Sequence, residues 1–307
     1  MVRQGLIGLL LVVLVSGAEI IIPIPQKVDH DVELARLGQS LFFDTRLSAD
    51  NTISCATCHR LDHGGAEPLA VSVGIRSQKG QLNAPTVFNA VFNIAQFWDG
   101  RAKDLVEQAK GPVINPIEMG HDFTTLIASL SRDTFYAEAF KRYFPEEGIT
   151  AHTIATAISE YEKTLITPNS PFDRFLRGDT DALSHEAKEG FALFKAKGCV
   201  ACHHGINIGG NQYQQFGAVI ENRDIGHSFA GRFMVTGDED DRYYVKVPSL
   251  RNVARTAPYF HTGGVKTLEE AVRLMAYHQL GIHLEDGEIV KISAFLRSLN
   301  GTLNEAP

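Results

Sequence analysis

The amino-acid sequence predicts a mainly α protein built from two similar units. Apolar residues recur at helical spacing along most of the chain, and β-prone patterns are confined to short stretches near 71–75 and 232–236. A G-x-x-L-F motif occurs in each half, starting at Gly38 and at Gly190, and each copy precedes a C-x-x-C-H block. With 307 residues, the chain is long enough for two domains of ordinary size.

Several helices are predicted together with their ends. Ser184 is a candidate N-cap for a helix over 186–197, which Gly198 can end in a left-handed conformation. The T-L-E-E sequence at 267–270 is a capping box ahead of a helix that runs to about residue 277. Three further amphipathic helices follow from apolar spacing: one begins at Asp122, one begins at Thr150, and one covers 289–299.

Residues 1–18 have the layout of a secretory signal peptide. Arg3 gives a positive start, residues 6–15 form an apolar run, and Ser16 and Ala18 stand at suitable cleavage positions. A membrane anchor is the alternative, but the run is shorter than the ~20 apolar residues that a span needs. The sequence therefore predicts export to the periplasm without a stable membrane span.

Composition and charge set limits on the class of protein. Hydrophobic residues make up 44% of the chain and charged residues 21%, which is ordinary for a globular protein with a sizeable core. The net charge of -7 argues against nucleic acid as a partner.

All four cysteines belong to two C-x-x-C-H blocks, at 55–59 and at 199–203. Four cysteines in an exported protein would usually suggest disulfides, but this block is the attachment signature of c-type haem. The two thiols join the haem vinyl groups, and the histidine binds the iron. Zinc is a second alternative, although zinc motifs do not normally repeat such a block far apart. The predicted attachment cysteines and iron ligands are Cys55, Cys58 and His59, and Cys199, Cys202 and His203.

The sequence resembles the bacterial dihaem cytochrome c peroxidase family, which includes the methylamine-utilisation dihaem enzymes. The resemblance covers about 32–299 and is carried by an ordered set of blocks: C-A-T-C-H at 55–59, N-A-P-T-V-F-N-A at 83–90, F-W-D-G-R-A at 97–102, N-P-I-E-M-G at 115–120, C-V-A-C-H at 199–203 and T-A-P-Y-F-H-T-G-G at 256–264.

This resemblance implies two cytochrome c-like domains, each with one covalent haem. The expected limits are 19–175 for an N-terminal peroxidatic domain and 176–307 for a C-terminal electron-transfer domain, joined by the apolar-poor stretch 167–184. Hydrogen peroxide would react at the N-terminal haem. Electrons would enter at the other haem from a small cytochrome or cupredoxin, and a homodimer is one expected assembly.

The resemblance also assigns roles to single residues. Glu118 matches the family's catalytic acid, with an exposed glutamate at a helix start as the alternative. A carboxylate suits peroxide because one oxygen must lose a proton while the other gains one. Trp98 matches a tryptophan between the haems, although a lone tryptophan is often a core residue. Met275 matches the sixth ligand of the C-terminal haem, with Tyr277 and His278 as rivals.

Four further residues match family positions, His261 near the C-terminal haem and the other three at a calcium site between the domains. His261 is expected to have a structural or haem-propionate role. One calcium ion is expected at three residues that offer oxygen ligands, which calcium prefers: Asn83, Thr256 and Pro258. A turn residue is the alternative for Asn83, since it precedes Ala-Pro.

Ile75 is the main departure from the family pattern. Better-known peroxidases have a histidine here that caps the peroxide haem in the oxidised state, and isoleucine cannot bind iron. His63 and His121 are the nearby alternatives for a capping ligand. The sequence therefore predicts an open N-terminal haem. This feature is shared with tryptophan-oxidising relatives, so a peroxide-dependent oxidase of a partner protein is one rival function. A non-catalytic electron carrier is the other.

Overall fold

The computed structural model describes residues 20–303, so the predicted signal peptide at 1–18 lies outside the described residues. The described chain is mainly α-helical. Its helices are α1 (Val32–Phe42), α2 (Cys55–Cys58), α3 (Leu105–Ile114), α4 (Phe123–Leu130), α5 (Thr134–Tyr143), α6 (Ala151–Thr164), α7 (Pro171–Leu176), α8 (His185–Ala196), α9 (Arg223–Gly226), α10 (Phe233–Thr236), α11 (Leu268–Leu280) and α12 (Asp286–Arg297). Two short strands, β1 (Tyr213–Gln215) and β2 (Tyr244–Lys246), form an antiparallel pair.

The predicted helix starts are confirmed, because side chains cap the orphan backbone N–H groups there. Asp122, Thr150, Ser184 and Thr267 each accept a hydrogen bond from a backbone N–H three residues later. The β-prone patterns were misleading. Residues 233–236 form a helix, and Val73 makes only an isolated bridge, while the two strands lie elsewhere in the chain.

Each half contains a pair of helices that pack at very short range. A Cβ atom on Gly38 of α1 would lie 1.8 Å from the carbonyl oxygen of Ala157 in α6. A Cβ atom on Gly190 of α8 would lie 1.9 Å from the carbonyl oxygen of Lys291 in α12. Only glycine permits such backbone contact. The repeated G-x-x-L-F motif therefore marks one structural unit that occurs twice.

Two hydrophobic cores form, one around each helix pair. The stretch 167–184 is more than a polar link, because it contains α7, whose Phe172 is wholly buried in the second core. Ile21 also packs in that core. A fully buried ion pair, with 2.9 Å between Arg251 Nη1 and Asp173 Oδ1, lies beside them. The domain limits 19–175 and 176–307 stay a prediction. Ile21 and Phe172, near the two ends of the first segment, both pack in the second core.

None of the helices within residues 20–303 has the length and apolar character needed to cross a membrane.

Candidate functional site

The first C-x-x-C-H block borders a cavity of about 310 Å³. Cys55, Cys58 and His59 all line it. The Nδ1 atom of His59 lies 3.2 Å from the carbonyl oxygen of Gly65. This contact holds the ring and leaves Nε2 as the nitrogen for a metal, a common arrangement for ligating histidines. Burial lowers the pKa of His59, which favours the neutral form that binds iron.

The second block borders a cavity of about 170 Å³ and repeats this arrangement. Cys199, Cys202 and His203 line it, and His203 Nδ1 lies 3.2 Å from the carbonyl oxygen of Ile208. Burial lowers the pKa of His203 to about 4. Burial therefore favours the neutral form of both histidines, and both are oriented through the same ring nitrogen.

These donor sets fit haem c. The four cysteines are free thiols, and each pair borders a cavity together with its histidine. Within residues 20–303, no three His, Cys, Asp or Glu side chains come together as a metal cluster, so neither block builds a zinc site. When bound, haem c would be held by the two thiols and the histidine of each block and would supply one-electron redox chemistry.

Glu118 lines the first cavity from the turn that follows α3. Asn115 Nδ2 donates a hydrogen bond to its Oε1 atom at 2.7 Å, which fixes the carboxyl group. Burial raises the pKa of Glu118, while the positive charge of Arg101 and the Asn115 hydrogen bond oppose that shift. A positioned, largely buried carboxyl group that lines a cavity is suited to moving a proton.

The rival capping groups do not line the first cavity, and His59 is the only histidine among the described residues that does. The His63 ring is directed at the carbonyl oxygen of Ala257, 3.3 Å from Nε2. His121 Nδ1 accepts a hydrogen bond from the Asp122 N–H group at 2.8 Å. The Ile75 side chain is buried and packs against Gly120, so it adds no ligand either.

Trp98 lines both cavities, as expected for a residue between two haems. Its indole Nε1–H donates a hydrogen bond to the carbonyl oxygen of Asn83 at 2.8 Å. Its ring meets the ring of His261 edge-on, with 5.8 Å between the centroids. His261 lines the second cavity, and its Nε2 lies 3.1 Å from Ser228 Oγ.

Met275 lines the second cavity, whereas Tyr277 and His278 do not. His278 is engaged at both ring nitrogens. Its Nδ1 lies 2.9 Å from the Ile220 carbonyl oxygen, and its Nε2 lies 3.1 Å from Asn222 Nδ2. The geometry therefore favours Met275 over both rivals.

The three residues of the expected calcium site lie on neighbouring segments. The Asn83 N–H group donates to the carbonyl oxygen of His261 at 2.8 Å, which brings residue 83 beside the 256–264 loop. Asn83 Nδ2 donates to the Leu69 carbonyl oxygen, so its Oδ1 atom is the side-chain acceptor that remains. Thr256 Oγ1 donates a hydrogen bond to the carbonyl oxygen of Val253. The backbone carbonyl oxygens of Thr256 and Pro258 are therefore the further candidate ligands.

The structure also reveals an internal repeat that the sequence reasoning missed. The segment N-A-P-T-V at 83–87 corresponds to the segment K-V-P-S-L at 246–250, with a proline at the same position in each. Matched left-handed residues follow, Asn89 with Asn252 and Phe97 with Phe260, and both segments lead into a capped helix, α3 or α11. At this constant offset, the further matched pairs are Asn83 with Lys246, Trp98 with His261, and Pro112 with Met275.

Comparison with known proteins covers both halves. The family model described as di-haem cytochrome c peroxidase matches residues 32–181, and the cytochrome c model matches residues 187–300. The chain is 46% identical over 289 residues to the cytochrome c551 peroxidase of Nitrosomonas europaea, covering 93% of this chain and 85% of that one. It is 48% identical over 282 residues to the cytochrome c peroxidase Ccp of Escherichia coli strain K12, covering 91% of this chain but 60% of that longer relative.

A solved structure shares the architecture. The crystal structure of a MauG-like protein associated with microbial copper homeostasis matches with a TM-score of 0.81 and 27% identity, covering 93% of this chain and 95% of that one. The two-domain, mainly helical fold is therefore that of MauG-like dihaem proteins.

Proposed function

The chain belongs to the di-haem cytochrome c peroxidase family, and we propose that it is a periplasmic enzyme that reduces hydrogen peroxide to water. Its electrons would come from a small c-type cytochrome or a cupredoxin. One contrast carries the proposal. The first cavity is lined by a positioned acid, Glu118, whereas the described residues that line the second include Met275 and no carboxyl group. One cavity is thus suited to a substrate and the other to electron transfer.

The reaction consumes one peroxide, two electrons and two protons and yields two water molecules. Glu118 would take a proton from one oxygen of the peroxide and return it to the other oxygen, which leaves as water. Asn115 holds the carboxyl group in place during both transfers, because its amide donates to Oε1 at 2.7 Å. Arg101 moderates the proton affinity of Glu118 through its positive charge.

The proposed electron path runs through Trp98. This side chain lines both cavities and is held by its hydrogen bond to Asn83. Met275 would be the sixth ligand of the electron-accepting haem, where a thioether raises the reduction potential. His261, in edge contact with Trp98, supports that ring from the side of the second cavity.

Stopped-flow mixing tests the function. The fully oxidised protein is mixed with hydrogen peroxide, and a reduced small c-type cytochrome is then added. We expect a spectral change with peroxide alone, followed by oxidation of the donor at two equivalents per peroxide. A protein that binds two haems and accepts electrons from the donor, but does not react with peroxide, would be an electron carrier.

Oxidation of a partner protein is the second candidate function, favoured by the likeness to a MauG-like structure and by the open first cavity. The same experiment distinguishes a peroxidase from a partner-protein oxidase. A partner-protein oxidase would hold its oxidising equivalents after the peroxide step and would be slow with the small cytochrome.

Three finer features belong to the proposal. One calcium ion would lie at Asn83, Thr256 and Pro258, held chiefly by neutral oxygens and removed by a chelator. Export through residues 1–18 would bring the protein to the periplasm. A homodimer is the proposed assembly, and light scattering of the haem-loaded protein tests it.

A further inference from the structure

Lys246 is a largely buried residue whose ammonium group has no partner among the described residues. The residue is 5% exposed. Among residues 20–303, no carboxylate forms an ion pair with its ammonium group, and no oxygen accepts a hydrogen bond from it. Burial alone lowers its pKa to about 8, so the group is still mostly charged at neutral pH. A buried charge without a counter-ion is costly, so a partner is expected from outside the polypeptide.

The side chain of Lys246 faces the boundary between the two halves. Its neighbours Val245 and Val247 line the second cavity, so Lys246 leaves β2 on the opposite face. Directly across the strand pair lies Tyr213, which shares that face. The Tyr213 hydroxyl lies against Gly100, where a Cβ atom would be 1.8 Å from it. This face therefore covers the loop of the first half that carries Trp98.

The internal repeat gives Lys246 a counterpart, Asn83. The hydrogen bonds of the two residues are reciprocal. Asn83 N–H donates to the His261 carbonyl oxygen at 2.8 Å, and Lys246 N–H donates to the Trp98 carbonyl oxygen at 2.7 Å. Trp98 and His261 are themselves a matched pair. Lys246 thus holds, on one side of the interface, the position that the proposed calcium ligand Asn83 holds on the other.

We propose that the Lys246 ammonium group is the built-in cation of an interdomain carboxylate site, and that the carboxylate is a haem propionate. On its side of the repeat, the Lys246 ammonium group provides the positive charge that the proposed calcium ion provides beside Asn83. A propionate fits because haem c brings carboxylates that no described side chain supplies to this lysine. The inference rests on the proposed haem content but not on peroxide turnover.

Redox titration of the haem-loaded protein tests the site. Removal of a nearby positive charge disfavours electron uptake, so Lys246→Met should lower the midpoint potential of at least one haem. Lys246→Arg, which keeps the charge, should leave both potentials close to those of the parent. Lys266→Met is the matched control, because Lys266 is exposed and solvent screens its charge. If the Lys246→Met protein does not fold and take up both haems, the Lys246→Gln protein is used for the same comparison.

Two results would overturn the proposal. One is a set of unchanged potentials in a Lys246→Met or Lys246→Gln protein that carries two haems by mass. The other is a parent protein whose potentials shift when small carboxylates are dialysed away, since that would identify a free carboxylate as the ligand. Peroxide turnover is measured separately on the same samples. A parent with two haems and no turnover would contradict the proposed function alone.

Discussion

The two cavities share one plan but differ in the side chains that complete them. In both, an oriented histidine and two cysteines line the wall, and a glycine-mediated helix pair supports them. On the capped helix that borders each cavity, Pro112 of α3 matches Met275 of α11. Proline has no side-chain donor for iron, whereas methionine has a thioether. In the proposed function, this exchange at a matched position is one of the differences between the substrate cavity and the electron-transfer cavity.

The helix pairs also combine a shared plan with one different side chain. The close contacts of Gly38 and Gly190 align α6 with α12, so Ile158 matches Ile292 and Glu162 matches Leu296. All four residues line their cavities. The isoleucines preserve the apolar wall in both halves. The carboxyl group of Glu162 makes the first cavity polar at a place where the second is apolar.

The largest expected effect concerns Glu118. Glu118→Gln keeps the shape and the Asn115 contact but removes the proton acceptor, so peroxide turnover should fall by roughly 10²–10⁴-fold. Both haems should remain, and the second should still accept electrons. Steady-state assays with a reduced cytochrome measure the loss. Glu138→Gln, on an exposed position of α5, is the control, and equal rates in the two variants would remove Glu118 from the mechanism.

Ile75 tests whether the first cavity is open. With no histidine beyond His59 lining it, the oxidised protein should show a high-spin component and react with peroxide without prior reduction. Ile75→His should convert that signal to low-spin and make the reaction depend on reduction, while Ile75→Val should behave like the parent. Electron paramagnetic resonance decides the point. Two purely low-spin haems in the parent would mean that another residue closes the cavity.

Met275 tests the electron-transfer side. Met275→His should keep six-coordination but lower the potential of that haem, because imidazole donates more strongly than a thioether. Electron uptake should weaken while the peroxide reaction of the first half survives. His278→Gln should leave the potential unchanged, since both His278 nitrogens contact protein groups outside the cavity. The opposite pattern in a redox titration would make His278 the ligand.

The smallest effect concerns stability and pH. Glu162 is buried, its Oε2 atom has no hydrogen-bond partner among the described residues, and burial raises its pKa from 4.5 to about 8. Between these values the folded state keeps a proton that the unfolded chain has lost. The free energy of unfolding should therefore fall as pH rises, by at most ~1.4 kcal/mol per pH unit.

Glu162→Gln and Glu162→Leu should each remove this dependence and be more stable than the parent at pH 8. Guanidinium unfolding of the haem-loaded proteins at pH 5 and pH 8 measures it. Parallel pH profiles for the parent and both variants would show that Glu162 is already satisfied in the haem-loaded protein.

Local signals in the sequence were sufficient for much of the fold. Asp122, Thr150, Ser184 and Thr267 cap helices as predicted, because capping depends on residues within one turn. Prediction of the strands failed, because strands this short depend on their pairing partner more than on their own pattern. The polar stretch 167–184 misled for a similar reason, since the burial of Phe172 depends on a core assembled from distant segments.

By itself, the sequence determined the chemistry that depends on covalent spacing. The two C-x-x-C-H blocks place two thiols and a histidine within one turn wherever the chain goes, and the ordered family blocks identified Glu118, Trp98 and Met275 before any contact was known. Only the tertiary structure decided what depends on burial and on the meeting of distant segments. Lys246 and Glu162 look like ordinary surface residues in the sequence. Within residues 20–303, the fold buries both residues and supplies no partner to the ammonium group or to Glu162 Oε2, and this loss of solvation is what makes them chemically significant.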